Sequence, residues 1–317
     1  MDFAAKNGKF LTTPISSNVK TKKISFEANV ALKKIVPYIM IAPAMITSLV
    51  FLIYPIVYMF YLSFYNWNMI GEMKFIGLDN YISLLTDSEF IQVLLNTCQF
   101  TFWTVSGSLA LGLAFAVYLK KNSQIDRLIQ SVMFTPYILP MVSVAFVWMW
   151  IMDTDLGLLN YILELFHVNK VMWLGDPEVA MYSLILVNIW KSVGYYTLIF
   201  LSALQGIPTY LYEAAELDNA KPATTFFKLT LPMLSPTLFF LALTAIIGSF
   251  KVFETVNVMT SGGPQNSTTT FVYYIYQYGF EYYKIGYASA VGVILMLIVS
   301  VFTIIYFCAL QKKVHYQ

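Results

Sequence analysis

Six long apolar runs, at about 35–65, 94–119, 128–152, 180–205, 233–256 and 286–310, constrain this chain more than any other feature. Each is long enough to cross a hydrocarbon core of about 30 Å, which takes ~20 helical residues. A segment at that depth has no water to bond, so its N–H and C=O groups must be satisfied within a helix. The reading is an all-α polytopic membrane protein with six transmembrane helices. Composition agrees: 58% of the 317 residues are hydrophobic and 11% are charged, with a mean hydropathy of +0.67. A soluble domain carries about 25% charged residues, so that class is excluded. The first run contains Pro37, Pro43 and Pro55, and the third contains Pro136 and Pro140, which predicts a bent or broken third helix. A polar, Lys-rich tail, 1–34, precedes a transmembrane domain, 35–317, whose core is about 92–310. The tail has no apolar stretch before a small-residue cleavage site, so no cleavable signal peptide is expected.

The basic residues give an orientation. Fourteen Lys and Arg fall in the tails and on one set of loops: seven in the N-terminal tail, then Lys120, Lys121, Arg127, Lys221, Lys228, Lys312 and Lys313. The opposite loops hold Lys74, Lys170 and Lys284 against ten acids. The positive-inside rule then puts both termini and the loop 206–232 in the cytoplasm.

That loop is the most informative polar stretch. Thr209 is read as a helix cap, with Glu213 and Glu216 in the early turns and Tyr210, Ala214 and Leu217 on one face. Asn219 stands at the stop position, where positive φ is common and Asn substitutes best for Gly. Pro222 opens a second short helix carrying Phe226, Phe227, Leu229 and Leu231. The result is a two-helix finger too polar to cross a bilayer.

The spacing of that finger resembles the cytoplasmic loop of ABC importer permeases. The family pattern is Glu-Ala-Ala, three residues, Gly, nine residues, Ile-x-Leu-Pro. Here Glu213-Ala214-Ala215 is followed by three residues, Asn219, nine residues and Leu229-Thr230-Leu231-Pro232. Asn for Gly and Leu for Ile are the two departures. Further segments are similar to the carbohydrate-uptake branch, specifically to the first of the two permeases in sugar and glycerol-phosphate importers. They are Leu62-Ser63-Phe64-Tyr65-Asn66-Trp67, Phe75 to Tyr81, Asn96-Thr97, Met259 to Pro264, Thr268, Tyr274-Ile275-Tyr276, Phe280 and Gly286 to Ala290.

The resemblance implies a type I ABC importer permease fold with a cytoplasmic coupling helix. It implies a subunit of the bacterial cell membrane, paired with a second permease in a heterodimer. Two separate ATPase subunits would carry ATP and Mg, and an extracellular or periplasmic solute-binding protein would deliver a saccharide. Glu213, Ala214, Ala215, Asp218 and Asn219 would form the ATPase-docking surface, with Glu213 pairing with a basic residue and the two alanines allowing close contact.

Catalytic chemistry is not legible in this chain. It has no G-x-x-x-x-G-K-[ST] phosphate cradle, so it is not expected to hydrolyse ATP or to bind a cofactor of its own. His167 and His315 lack neighbours at metal-ligand spacing, and Asp153 and Asp155 read as a solvated loop. No metal, enzymatic activity or nucleic-acid partner is expected. Cys98 and Cys308 fall in apolar spans and are read as buried, unpaired thiols.

Ionisable groups within spans carry a different weight, because burying charge in lipid is costly. Asn188, Trp190, Lys191, Tyr195 and Phe250 are candidates for a mid-membrane substrate pathway, since rings stack on sugar C–H faces while donors hold hydroxyls. Lys251 and Glu254, three residues apart, either pair along one helix face or sit at the interface. Glu254 is the one acid inside a span, which argues against an ion-coupled secondary transporter. Glycerol phosphate or another polyol is the alternative cargo. The sole arginine, Arg127, lies on the cytoplasmic side and favours neutral saccharides.

Overall fold

The computed structural model describes residues 36–121 and 123–310; the tail 1–34, Lys312, Lys313 and His315 lie outside the described residues. The chain divides into two units, 1–58 and 59–317. The first contains most of helix α1 (Val36–Leu62), in which the backbone ladder slips to i→i+5 bonding at Leu49–Ile53, with the Tyr54 N–H donating to the Leu49 carbonyl. Pro55 follows directly and has no N–H to donate, so the slip sits where the ladder is already interrupted.

The second unit opens with a small antiparallel hairpin, β1 (Tyr65–Asn66) and β2 (Lys74–Phe75), with Tyr65 opposite Phe75. The all-α expectation is corrected at this one point. Then come α2 (Asp79–Thr86), α3 (Ser88–Tyr118), α4 (Gln124–Ile138), α5 (Met141–Ile151), α6 (Leu158–Leu165) and α7 (Ala180–Gln205). They are followed by α8 (Thr209–Leu217), α9 (Pro222–Met233), α10 (Ser235–Phe250), α11 (Glu254–Met259), α12 (Phe271–Tyr276) and α13 (Ile285–Leu310).

Among the described residues, α1, α3, α7 and α13 are long and apolar enough to cross a membrane. Two further pairs qualify jointly but are bent, α4–α5 by 103° and α9–α10 by 66°. The first bend falls where Pro136 and Pro140 predict it: α4 ends at Ile138, Leu139 turns to ψ 142°, and α5 starts after Pro140. The expected fifth run, 233–256, is shorter as a helix, because α10 ends at Phe250 and the chain restarts at Glu254.

α3 and α7 form the spine of this unit. Small residues let them approach: the Ser108 and Ser192 hydroxyls are 2.9 Å apart, and a Cβ on Gly112 would strike Tyr196. Buried side chains gather in three clusters. Phe100, Val144 and Leu184 tie α5 and α7 to α3; Leu109, Phe200, Leu204 and Leu234 fill the opposite end of the pair. Phe90, Phe250, Phe271 and Tyr274 join α3 to α10, α12 and α13.

Outward-facing apolar residues are plentiful, as on α13, where Val301, Ile304 and Ile305 are all exposed. Cys98 and Cys308 are exposed too, which corrects the reading of buried thiols. Lipid tails are as apolar as a protein core, so an apolar residue on a span gains little by turning inward.

The segments that carried the family resemblance are the stitches of the unit. Asn80 Nδ2 donates to the Ser63 and Tyr65 carbonyls at 2.8 and 3.1 Å. Gly286 packs directly on the Tyr65 carbonyl, leaving no room for a Cβ, and the Ile285 N–H donates to Trp67 O at 3.1 Å. Farther along, Asn96 Nδ2 donates to the Asn266 and Thr269 carbonyls at 2.9 and 3.1 Å, and Phe271 N–H donates to Thr97 Oγ1 at 3.2 Å. These polar bonds join positions as far apart in the chain as Trp67 and Ile285 and fix loops that no apolar pattern would hold.

Candidate functional site

The finger formed by α8 and α9 is anchored on one side and open on the other. Leu211, Tyr212, Leu229 and Met233 pack against the α3–α7 cluster around Leu204 and Ile207. Tyr212 is held further by the Lys120 ammonium, 3.8 Å from its ring centroid, and by Thr230 Oγ1 at 3.3 Å. The predicted face of Tyr210, Ala214 and Leu217 points away from the cluster together with Glu213; Leu217 is 85% exposed. Ala215 is half-buried, and Asp218 and Asn219 are exposed.

The turn between the two helices follows the expected chemistry. Asn219 takes φ +51°, the Asn219 N–H donates to Glu216 O at 3.0 Å, and the Ala220 N–H donates to Ala215 O at 2.9 Å. This is the paired 5→2 and 6→1 closure of a helix end. Pro222 starts α9, whose ladder slips to i→i+5 bonding at Phe226–Thr230, just before Pro232.

Two details of the finger are corrected. Thr209 is the first helical residue rather than the cap, Pro208 holds the cap position, and no side-chain cap bond forms. A threonine already in helical conformation is past the position from which a side chain closes on the N2 or N3 N–H. Glu213 and Glu216 fall in the middle and last turns of a nine-residue helix, so neither complements the positive end of its dipole.

An open cavity of about 310 Å³ lies among α3, α4, α7, α10 and α11. Ser108, Tyr137, Asn188, Lys191, Ser192, Tyr196, Ser249, Lys251, Glu254 and Thr255 line it along with apolar neighbours. Asn188 Nδ2 donates to Leu184 O at 2.9 Å and to Thr255 Oγ1 at 3.2 Å, so it braces α7 against α11. Tyr195 stacks on Tyr137 with centroids 4.4 Å apart and planes 11° apart, backing the cavity wall.

Of the five residues singled out from sequence, Asn188 and Lys191 share this cavity and Tyr195 supports it. Trp190 turns aside to pack edge-on against Trp148, with centroids 5.4 Å apart. Phe250 is buried with Phe271 and Tyr274 and borders a different, apolar groove with Cys98 and Phe302. For Trp190 the reason is rotational: a helix turns about 100° per residue, so a residue directly before Lys191 leaves the face that Asn188 and Lys191 share.

Lys251 and Glu254 both line the cavity, yet they form no ion pair; among the described residues the ion pair is Glu164 with Lys170 at 3.7 Å. The helix break between Phe250 and Glu254 removes the shared face that such pairing needs. Ser108 and Ser192, small polar residues inside apolar runs, were the available sequence signal for this site. Among the described residues no group of three or more His, Cys, Asp or Glu gathers to hold a metal ion.

These features define a multi-pass helical membrane protein with a polar cavity between its helices and a polar two-helix finger at one end. The sequence matches the family of binding-protein-dependent transport system inner membrane components over residues 108–316, and the chain belongs to that family. It is therefore a permease, a transport subunit rather than an enzyme. It is 34% identical over 284 residues to the sn-glycerol-3-phosphate transport system permease protein UgpA of Escherichia coli (strain UTI89 / UPEC), covering 89% of this chain and 96% of that one. It is 34% identical over 273 residues to the trehalose/maltose transport system permease protein MalF of Thermococcus litoralis, covering 85% and 91%. It is 33% identical over 276 residues to the arabinooligosaccharides transport system permease protein AraP of Bacillus subtilis (strain 168), covering 86% and 88%. In fold it is similar to a chain of a bacterial ABC transporter involved in the import of the acidic polysaccharide alginate, with a TM-score of 0.79 at 22% identity over 90% of this chain and 99% of that one.

Proposed function

We propose that this chain is one permease of an ATP-driven, binding-protein-dependent importer of a sugar or oligosaccharide. It would form half of the translocation pathway in a heterodimer with a second permease. In this reading each bent helix pair crosses the membrane once, giving six spans, with both termini and the 206–232 finger in the cytoplasm. The tail 1–34 precedes a transmembrane domain, 35–317. A solute-binding protein delivers cargo on the opposite side, and two ATPase subunits with ATP and Mg work beneath the finger.

The observation that carries the reading is the open face of α8. Glu213 and Ala214 are exposed while Leu211 and Tyr212 fix the same helix to α3 and α7. A helix rigidly joined to the spans on one side and free on the other can pass a push from a separate subunit into the bundle. Closure of the ATPases on nucleotide would drive the change, because only a ligand with different affinity for two states shifts their balance. Ala215, Asp218 and Asn219 complete the proposed docking surface.

The test is Glu213→Lys in the assembled importer. Uptake and cargo-stimulated ATP hydrolysis are expected to be lost while the chain still inserts and assembles. Normal uptake by that variant would sink the docking role.

The cavity gives the cargo reading. Asn188, Lys191 and the backing ring of Tyr195 lie on the proposed path, joined by Tyr137, Lys251 and Glu254, whereas Trp190 and Phe250 are not part of it. A second cargo, glycerol phosphate, is favoured by the Lys251 ammonium at the cavity and by a 34% identical relative named for it. Competition of uptake by trehalose, maltose and sn-glycerol 3-phosphate separates the two readings.

A further inference from the structure

We infer that Lys191 is a positioning residue, one that holds the break between α4 and α5 by supplying the hydrogen-bond donors the break removes. In an unbroken helix the Pro136 carbonyl accepts from the N–H of residue 140. Residue 140 is a proline and has no N–H. The helix ends at Ile138, so the carbonyls of its last turn have no partner further along the ladder. Lys191 reaches over from α7 and donates to Pro136 O at 3.0 Å, Tyr137 O at 3.1 Å and Leu139 O at 2.7 Å.

An ammonium has three hydrogens and no lone pair, so these three bonds use every donor Lys191 has. Its charge also sits at the negative end of the α4 dipole, where a cation is favoured. The three carbonyls belong to a break within a proposed membrane crossing, where exposed backbone is tolerated only when something else satisfies it.

The consequence is geometric. With the break fixed, Tyr137 stays on the cavity wall against Tyr195, and α5 leaves at 103° to close the cavity through Met141. Lys191 therefore shapes the cavity, and contact with a solute's hydroxyls falls to groups whose donors are not consumed.

This deepens the pathway reading above, and the test is chosen to fail separately from it, because it is run without any cargo. In open membrane fragments carrying the full chain with its partner subunits, Cys98 and Cys308 are replaced by serine. One reporter cysteine is placed at Met141, on the wall beyond the break, and a control at Leu156, which is 84% exposed between α5 and α6. The probe is the anionic reagent sulfonatoethyl methanethiosulfonate.

Lys191→Met is expected to change the Met141→Cys labelling rate by about tenfold, with Lys191→Arg restoring it to within about twofold of the parent and the Leu156→Cys control unmoved. A residue that only donated to solute would leave cargo-free labelling unchanged, so parental labelling in Lys191→Met overturns the inference. An arginine variant that behaves like the methionine variant overturns it as well. Should Lys191→Met fail to accumulate, Lys191→Gln, which keeps an amide donor, is expected to accumulate with an intermediate rate. A parental rate in that variant counts against the inference. Loss of the methionine and glutamine variants with retention of the arginine variant supports it, and loss of all three sinks it.

Discussion

Gly194 of α7 lies directly against the backbone of Met133 in α4, and a Cβ at Gly194 would fall within the Met133 carbonyl. The obstacle is main chain rather than the end of a flexible side chain, so it cannot swing aside. This contact sets the distance between the two helices, and Lys191, one turn earlier, reaches the end of α4 because of it.

Gly194→Ala is accordingly expected to force α4 outward and to cost about 1–3 kcal/mol, the usual range for overpacking. Thermal unfolding of the purified importer in detergent would read the loss as a lower Tm. An unchanged Tm would show that α4 moves freely against α7.

Asn219 tests the turn of the finger. At φ +51° a branched side chain is strained, so Asn219→Val is expected to cost about 1–2 kcal/mol locally. Asn219→Gly is expected to be neutral or mildly stabilising. Cargo-stimulated ATP hydrolysis should fall in the valine variant and persist in the glycine variant; the reverse order would mean that the asparagine side chain itself makes the contact.

Asp87 ties the start of α3 to the far end of the chain. Its carboxylate caps α3 by accepting from the Glu89 N–H at 2.9 Å, and it accepts from the Tyr287 and Tyr274 hydroxyls at 3.1 and 3.4 Å. Glu89, in the first turn of α3, also takes bonds from distant groups, from Asn266 Nδ2 at 3.0 Å and the Tyr278 hydroxyl at 3.1 Å. Burial, with the bonds to Tyr278 and Tyr287 adding to it, raises the Tyr274 phenol well above its ordinary range, so it stays a donor at any working pH. Asp87→Ala is expected to lose at least the cap, about 0.5–2 kcal/mol, while Asp87→Asn keeps an acceptor and loses less. Equal Tm values for the two variants would argue against the cap.

The finger was largely legible in the sequence, and for a local reason. Caps, prolines and a positive-φ stop act within a few residues, so Asn219, Pro222 and the Glu213 spacing read out directly. The misplaced Thr209 cap is a matter of one position, because proline and threonine both suit a helix start and only backbone geometry tells which is already helical. The break at Pro136 and Pro140 was legible on the same grounds.

The cavity was only partly legible. Phe250 lies in a run that is almost wholly apolar, and such a run carries no stripe to show which side faces in. Lys251 and Glu254 depended on a helix break that the sequence does not mark with glycine or proline. The capping role of Lys191 could not be read from its surroundings in the chain, since its partners are more than fifty residues away.

The sequence alone determined that the chain spans a membrane, where its third apolar run breaks and how its polar finger turns, because backbone satisfaction in lipid and local capping leave few alternatives. The tertiary structure decided which faces meet, which cysteines face outward and which charges share a cavity. Those choices rest on close packing and on a few long-range hydrogen bonds, and lipid, being as apolar as the core, gives the sequence no hydrophobic reason to record them.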